Sequence, residues 1–235
     1  MAVVSAVAFS LFNLVGDPVN NMVGQDATRE QRLEIRKELG LDDPIPVQYG
    51  RFIVNAMQGE FGVSLRLRRP VTEVIFERLP ATLELVLVSA IIALVMGIGF
   101  GVYTGIKRNS FASQAILSGS LIGVSLPTFI IGIALIYIFA VHLRWLPSNG
   151  RGGTVDLGWW TTSFLTVEGW RSIILPALTL SLFQMTMILR LVRAEMLEIM
   201  QTDFIKFARA RGLTERAINF GHALKNTLVP VITII

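Results

Sequence analysis

Cysteine is absent from the 235 residues of this sequence, and only two histidines, His142 and His222, are present. The lack of thiols excludes disulfides and thiolate metal sites, and two histidines so far apart in sequence do not support a Ser/His/Asp triad. Neither a G-x-x-x-x-G-K-[ST] phosphate loop nor an H-E-x-x-H motif occurs. The sequence therefore predicts no catalytic residue, no metal site and no cofactor in this chain.

Charged residues are also scarce, at 16% of the chain against 52% hydrophobic residues. Soluble globular domains carry about 25% charged residues, so a membrane protein is expected, with the lipid bilayer as its surroundings. The net charge of +4 could suggest nucleic acid, but no basic face with interleaved aromatic residues stands out. In membrane proteins, excess Lys and Arg set the orientation of the chain instead. No nucleic-acid partner is expected.

Apolar residues are concentrated in segments that match the thickness of a bilayer. A hydrocarbon core of about 30 Å requires roughly 20 apolar residues in a helix. Three segments meet this requirement, at 81–106, 115–143 and 173–189. The shorter segment 1–16 is interpreted as the later part of a first span, and 228–235 as the start of a fifth, so the chain is expected to be part of a longer protein.

Positive charge in the short connections predicts the orientation. Lys107 and Arg108 follow the second span, and many Lys and Arg residues crowd the segment 190–225, so both connections are predicted to be cytoplasmic. The nearly balanced loop 144–171 is predicted to lie outside, and so is 17–80. The sequence thus divides into a partial span (1–16), an extracytoplasmic cap (17–80) and a transmembrane domain (81–235).

Capping and turn signals indicate short elements within the segment 17–80, which favours a small folded cap over a solvated linker. Thr28 and Gln31 form a capping box that predicts a helix over 28–39. A second short helix is predicted over 70–79. Pro80 is then expected to open the second span.

Two polar side chains fall within predicted spans. Glu84 is a carboxylate near the start of the second span, and a charge at the bilayer centre costs roughly 2.5–3.5 kcal/mol. An interfacial or pore-facing position is therefore favoured over a proton relay. Gln184 is expected to hydrogen-bond a neighbouring helix or, alternatively, to line the transport path.

Proline and glycine mark further positions within the spans. Pro127 and Pro176 each remove a backbone hydrogen bond, which predicts kinks, and both are candidate gating residues. Gly97 and Gly101 have the small-xxx-small spacing that permits close helix approach. Ordinary packing is the favoured interpretation, and a helix that slides or bends during gating is the alternative.

The basic, amphipathic stretch 203–230 lies between two apolar segments and predicts a helix–turn–helix. The residues suited to one apolar face of its first helix are Phe204, Phe207 and Ala208, with Arg211. Gly212 is predicted to end this helix in a left-handed turn, and Thr214 to cap a second helix over 215–224. The residues leave two interpretations open, a helix lying on anionic lipid and a protruding elbow for a cytosolic partner.

Several motifs together resemble a known family. ARARGL at 208–213 and HALKNTLVPV at 222–231 look like the cytoplasmic loop of binding-protein-dependent ABC transporter permeases. The closer resemblance is to the first permease subunit of dipeptide/oligopeptide uptake systems, a group that includes glutathione and nickel importers. Further matches are GDP at 16–18, LGLDDPIPVQYGRF at 39–52, GEFGVS at 59–64, PVTEVIFERLPATLEL at 70–85, SLPTF at 125–129 and WLPSNG at 145–150.

The resemblance implies an all-α type I ABC importer transmembrane domain, with about four to five of six spans present here and an extracytoplasmic helical insertion. It implies import of di- or oligopeptides across the cytoplasmic (inner) membrane of a prokaryote by alternating access, with nickel or glutathione as the alternative cargo. The implied partners are a second permease subunit, two cytosolic ABC ATPases that bind ATP and Mg, and an extracytoplasmic solute-binding protein.

The resemblance also assigns a coupling loop, within 200–225, that contacts an ATPase. Its residues are Lys206, Phe207, Ala208, Arg209, Ala210, Arg211, Gly212, Leu213 and His222. The broad family motif begins Glu-Ala-Ala where this chain has Lys206, Phe207 and Ala208, and the peptide-type subgroup shares this departure. The candidate pore or gating residues are Glu84, Pro127, Pro176 and Gln184.

A transporter of another class, an ion-coupled carrier or channel, is the remaining alternative. Such a protein would require paired carboxylates within its spans or an internal repeat across two halves. Neither is visible in the sequence, and the importer permease is the favoured hypothesis.

Overall fold

Helices dominate the part of the chain that the computed structural model describes, namely residues 6, 7, 9, 10, 33, 37, 41–64, 67, 69–158 and 160–234. The chain divides into two units, Met1–Leu79 and Pro80–Ile235. Most of the predicted first span and of the helix predicted over 28–39 lies outside the described residues. The described residues within them, such as Leu33 and Lys37, are helical.

The first unit contains the helix α1, Ile45–Met57. Pro residues are preferred at the start of a helix, and α1 follows Pro44 and has a second proline in its first turn. The Gln48 side chain donates hydrogen bonds to the carbonyls of Leu41 and Asp43, at 3.0 and 2.7 Å. These bonds fix the chain that enters the helix.

The second helix, α2, runs without a break from Val71 to Ile106. The prediction of a short helix over 70–79, followed by a span that opens at Pro80, is wrong, because Pro80 lies inside α2. A proline removes one intrahelical hydrogen bond but does not by itself end a helix whose side chains favour it on both sides.

The span predicted over 115–143 is also wrong as a single helix. It consists of α3 (Phe111–Ser120), α4 (Ile122–Ser125), α5 (Thr128–Leu135) and a π-helical segment (Ile136–His142). The parts before and after the break at 126–127 are bent by 110°. A residue before proline is disfavoured in the helical region, and Leu126 is accordingly extended, so Pro127 separates two helices instead of kinking one.

A hairpin loop, residues 143–166, follows the bent segment. Its two short strands, β1 (Val155–Asp156) and β2 (Thr161–Thr162), pair antiparallel, with Val155 opposite Thr162. Gly158 lies at the turn with φ +89°, a conformation that glycine adopts at no steric cost. The loop therefore has a defined backbone.

The helix α6, Val167–Ile199, begins at the end of the hairpin loop. Thr166 caps it by accepting a hydrogen bond from the Gly169 N–H at 3.0 Å, and Glu168 places a negative charge in the first turn, where the helix dipole favours it. The segment predicted over 173–189 is thus part of a longer helix, and Pro176 lies within it.

Within the described residues, α2 and α6 are long and apolar enough to cross a membrane, and the bent pair 111–125 and 128–142 adds a third crossing if it is one span. The final elements are α7 (Asp203–Ala210), a π-helical segment (Ala217–Ala223) and α8 (Leu224–Ile234).

The two long helices approach closely because glycines of α2 leave room for side chains of α6. The contacting pairs are Gly97 with Ile188, Gly101 with Val192 and Gly105 with Met196. A Cβ atom on any of these glycines would lie between 2.6 and 2.9 Å from the Cβ atom of its partner, closer than real atoms come. The close helix approach predicted from Gly97 and Gly101 is confirmed, and it is extended by one turn.

Candidate functional site: the elbow around Gly212

The elbow, residues 203–224, consists of α7, a turn and the π-helical segment. Asp203 begins α7, and its carboxylate accepts a hydrogen bond from the Lys206 ammonium at 2.8 Å. An acid in the first helical turn is favourable because the N-terminal N–H groups are unpaired. Polar residues of the first arm therefore stabilise the N-terminal end of α7.

The inward face of α7 differs from the predicted one. Ile205 and Ala208 are buried, whereas Phe204 and Phe207 are exposed by 43% and 65%. Both pairs have the i, i+3 spacing that places two residues on one helix face. The helix thus has two apolar faces, and the pattern could not tell which of them meets the rest of the protein.

A Schellman motif ends α7. The Gly212 N–H donates to the Arg209 carbonyl at 2.9 Å, and the Leu213 N–H donates to the Ala208 carbonyl at 3.3 Å, which is the paired bonding of that motif. Gly212 has φ +79°, so the predicted left-handed turn is confirmed. A Cβ atom there would meet nothing within 4 Å, so the backbone conformation, and not lack of space, favours glycine.

The second arm of the elbow begins at Thr214, whose Oγ1 accepts a hydrogen bond from the Ala217 N–H at 3.3 Å. The predicted cap is therefore present. The predicted end of the helix at residue 224 is wrong, because the chain stays helical from 215 to 234. The π-helical turns over Ala217–Ala223 pass directly into α8.

An ion pair joins the two arms across the turn. The Arg209 Nε and Nη2 atoms lie 3.0 and 3.4 Å from the two carboxylate oxygens of Glu215, a forked arrangement typical of Arg with a carboxylate. Both side chains are exposed, so the pair contributes at most about 1 kcal/mol to stability. Its geometric effect is to hold the angle between the arms.

The inward side of the elbow belongs to the same apolar core as the helix contacts described above. Ile205 and Ala208 of the first arm, and Ile218 and Ala223 of the second, pack in one cluster with residues of α2, α6 and α8. Ile205, Ile218 and Ala223 have no exposed surface. A force on the elbow is therefore transmitted to the long helices through direct packing.

The outward side of the elbow carries aromatic rings and cations. Phe204, Phe207 and Phe220 are exposed, and the Arg211 guanidinium lies 5.8 Å from the centre of the Phe207 ring, within cation–π range. The exposed cations of the elbow are Lys206, Arg209, Arg211 and Arg216, and Lys225 follows it at the start of α8. Such a surface fits a partner with acidic groups around apolar depressions.

Most of the predicted coupling residues lie together on this surface. Lys206, Phe207, Arg209, Ala210, Arg211 and Gly212 are exposed, Leu213 is half-buried, and His222 is exposed on the second arm. Ala208 is buried and faces the core. Sequence reasoning did not single out Ile205 and Ile218, whose role depends on which face is covered.

The predicted pore or gating residues do not come together. Glu84 is almost fully buried and pairs with Arg151, Pro127 lies exposed in the break between α4 and α5, and Pro176 and Gln184 are exposed on α6. The side chain of Thr186, and not that of Gln184, bonds to another helix, by donating to the Ser120 carbonyl at 3.1 Å. The described residues include no cluster of three His, Asp or Glu side chains able to hold a metal ion.

Comparison with known proteins adds two family matches. A family described as the inner membrane component of binding-protein-dependent transport systems matches residues 97–235. A second, the N-terminal part of such membrane components, matches residues 1–86. The two matches together extend over nearly all of the chain.

Individual relatives agree with these matches. A putative peptide transport system permease protein of Brucella suis is 39% identical over 237 residues, which cover 100% of this chain and 72% of the relative. A dipeptide transport system permease protein of Alkalihalophilus pseudofirmus is 34% identical, covering 97% and 73%. A glutathione transport system permease protein of Salmonella paratyphi A is 32% identical, covering 99% and 71%.

Proposed function

We propose that this chain, which belongs to the family of inner-membrane components of binding-protein-dependent transport systems, is the permease for di- or oligopeptides in an ATP-driven importer. Relatives named for peptide or dipeptide transport, aligned over essentially the whole chain, support the choice of cargo. Glutathione, itself a small peptide, is the alternative cargo, because a relative of similar coverage is named for it.

The proposed assembly contains a second permease subunit, two cytosolic ATPases and an extracytoplasmic solute-binding protein. ATP and Mg bind to the ATPases, so this chain performs no bond chemistry. The elbow is the proposed contact with one ATPase, since its outward side offers exposed Phe207 and Arg211 while its inward side is fixed in the core. A cationic, aromatic surface on a rigid turn suits docking into a groove of another protein.

The proposed mechanism is alternating access. ATP binding closes the ATPase pair and displaces the elbow, and the packing of Ile205 and Ile218 in the core passes this displacement to α6. Because side chains of α6 pack directly against the backbone of α2 at Gly97, Gly101 and Gly105, the two helices move together. The path then opens towards the binding protein, and hydrolysis returns it to the inward-facing state.

The observation that carries this proposal is the two-sided elbow, buried at Ile205 and exposed at Phe207. A helix lying on lipid would turn its apolar face to the membrane. Here the apolar side with Ile205 is buried in the core, and the side with Phe207 is exposed next to Arg211.

Reconstitution in proteoliposomes tests the proposed function. The full-length chain with its co-purified partners is supplied with labelled dipeptides, labelled oligopeptides and labelled glutathione in turn. We expect uptake of one of these classes only when both ATP and the solute-binding protein are present. Uptake driven by an ion gradient without ATP would contradict the proposal and favour an ion-coupled carrier.

A further inference from the structure

Glu84 lies at the start of the apolar part of α2. Only 2% of its side-chain surface is exposed, although the side chain carries a charge. Its Oε2 atom accepts a hydrogen bond from Arg151 Nη2 at 3.2 Å, and its Oε1 atom accepts one from the Ser163 N–H at 3.0 Å. Arg151 and Ser163 both belong to the hairpin loop. A buried carboxylate of a long helix is thus neutralised by the loop that precedes another long helix.

Arg151 holds the loop to itself as well as to Glu84. Its Nη1 atom donates to Thr161 Oγ1 at 2.7 Å, and its Nη2 atom also donates to the Thr161 carbonyl at 2.6 Å. The planar guanidinium presents these donors in a fixed fork, which an ammonium group cannot do. One side chain therefore fixes the position of strand β2 relative to the acid on α2.

The loop is tightly joined to α6 on its other side. A Cβ atom on Gly169, in the first turn of α6, would lie 2.1 Å from the Ser163 carbonyl oxygen, and one on Gly152 would lie 2.4 Å from the Glu168 carbonyl oxygen. The Thr166 hydroxyl caps α6 and also donates to the Gly153 carbonyl. The loop and the N-terminal end of α6 therefore form one packed body.

These contacts and the glycine contacts fasten α2 to α6 at two levels. Glu84 and Gly105 are 21 positions apart in α2, which corresponds to about 32 Å along a helix, close to the thickness of a bilayer core. The glycines join the helices near the elbow. The Glu84–Arg151 pair joins them at the far end.

We propose that Glu84 and Arg151 are positioning residues that hold the hairpin loop to α2, so that the elbow's displacement reaches this loop, on the side predicted to face the solute-binding protein, through both long helices. With the pair intact, α2, α6 and the loop move as one rigid body, so the two ends of the transporter are coupled. Without it, the loop stays joined to α6 but is released from α2, so the two helices can move apart at this level and the docked binding protein influences the ATPases less. This inference rests on the proposed function.

The test compares basal ATP hydrolysis with hydrolysis stimulated by the co-purified, substrate-loaded binding protein, in the reconstituted full transporter. The variants are Glu84→Gln, which removes the carboxylate charge, and Arg151→Lys, which keeps the cation against Glu84 but loses the fork. The matched control is the exposed ion pair, 3.0 Å apart, between Glu77 of the same helix and Arg69, which precedes it; it is altered by Glu77→Gln.

In both variants of the pair we expect basal hydrolysis to stay within about twofold, and the stimulation to fall by about tenfold, a typical size for coupling between two sites. The control should keep its stimulation. A purely structural role would lower basal and stimulated hydrolysis in the same proportion, and that result would overturn the inference. So would unchanged stimulation in both variants.

If Glu84→Gln does not accumulate in the membrane, Arg151→Lys carries the test, since it leaves the buried carboxylate paired. Failure of both variants to assemble would assign the pair to folding and overturn the inference. A different result would contradict the proposed function, namely that the binding protein does not stimulate ATP hydrolysis by the unaltered transporter. Stimulation of the unaltered transporter and of both variants alike contradicts only the role of the pair.

Discussion

Gly212 is the residue on which the geometry of the elbow depends. Its φ of +79° lies in the left-handed region, where other residues are destabilised by roughly 1–2 kcal/mol. Asparagine is the side chain that tolerates this region best. No neighbouring atom lies within 4 Å of a Cβ at this position, so a substitution acts on the backbone alone.

Gly212→Val should therefore lower the number of peptides transported per ATP hydrolysed, because the β-branched side chain moves the turn out of its left-handed conformation. Gly212→Asn should keep most of the coupling. Gly221→Ala is the matched control, since Gly221 is exposed on the second arm with an open Cβ position and an ordinary φ. The measurement is the ratio of peptide uptake to ATP hydrolysis in proteoliposomes. An unchanged ratio in the Gly212→Val variant would count against the role of the elbow.

At the scale of elements, the close contact between α2 and α6 extends over three successive turns, at Gly97, Gly101 and Gly105. Gly101 is the tightest position, with its Cβ site 2.6 Å from Val192 Cβ and 2.9 Å from the Leu189 carbonyl oxygen. Neither of these neighbouring atoms can move away by a side-chain rotation, because the helix itself fixes the positions of a Cβ atom and a backbone carbonyl.

Gly101→Val should destabilise the protein by about 1–3 kcal/mol, the usual cost of overfilling a packed interface. Gly99→Ala, in the same helix with no atom near its Cβ position, should leave the stability unchanged. The difference in stability is measured as the thermal unfolding midpoint of each variant in detergent. The fraction of monodisperse complex that remains after heating is the readout. Equal midpoints would show that α2 and α6 do not pack at Gly101.

Much of this element-scale contact could be predicted from the sequence, because the spacing of Gly97 and Gly101 is itself the signal. The break in the helix at Leu126–Pro127 could not be predicted from the sequence. Pro80 follows Glu77, Arg78 and Leu79, which are good helix formers, and the helix continues through it. Pro127 follows Gly123, Val124 and Ser125, which are poorer ones, and the chain bends there by 110°. Propensity favours a break at the second site but does not specify it, because tertiary packing can override propensity.

At the scale of the whole molecule, the elbow is the described surface best suited to another protein. Phe207 is exposed by 65% beside Arg211, and aromatic and Arg side chains carry most of the binding free energy in protein interfaces. Exposed apolar residues on the long helices, such as Val86, Leu87 and Val95, have few charges near them and suit lipid or a second permease.

Phe207→Ala should weaken association of the ATPase subunits by about 1–2 kcal/mol, which corresponds to about five- to thirtyfold in Kd. Insertion of the chain should be unaffected, because Phe207 makes no part of the core. Met57→Ala is the control, since Met57 is even more exposed, by 84%, but lies in the segment predicted to face outside. Titration of the purified ATPases against the permease in nanodiscs gives both constants, and identical constants would exclude Phe207 from the interface.

The sequence by itself determined that the chain is a membrane protein, which of its segments are apolar, and that a turn with a left-handed glycine lies at Gly212. Composition, length of apolar run and a glycine at a helix end act locally, so they can be read without coordinates. Only the tertiary structure decided that Glu84 faces the hairpin loop, that Ile205 and not Phe207 is the buried residue of α7, and that Arg151 joins strand β2 to α2. Glu84 and Arg151 are 67 positions apart, and no local rule specifies which partner a buried charge will meet.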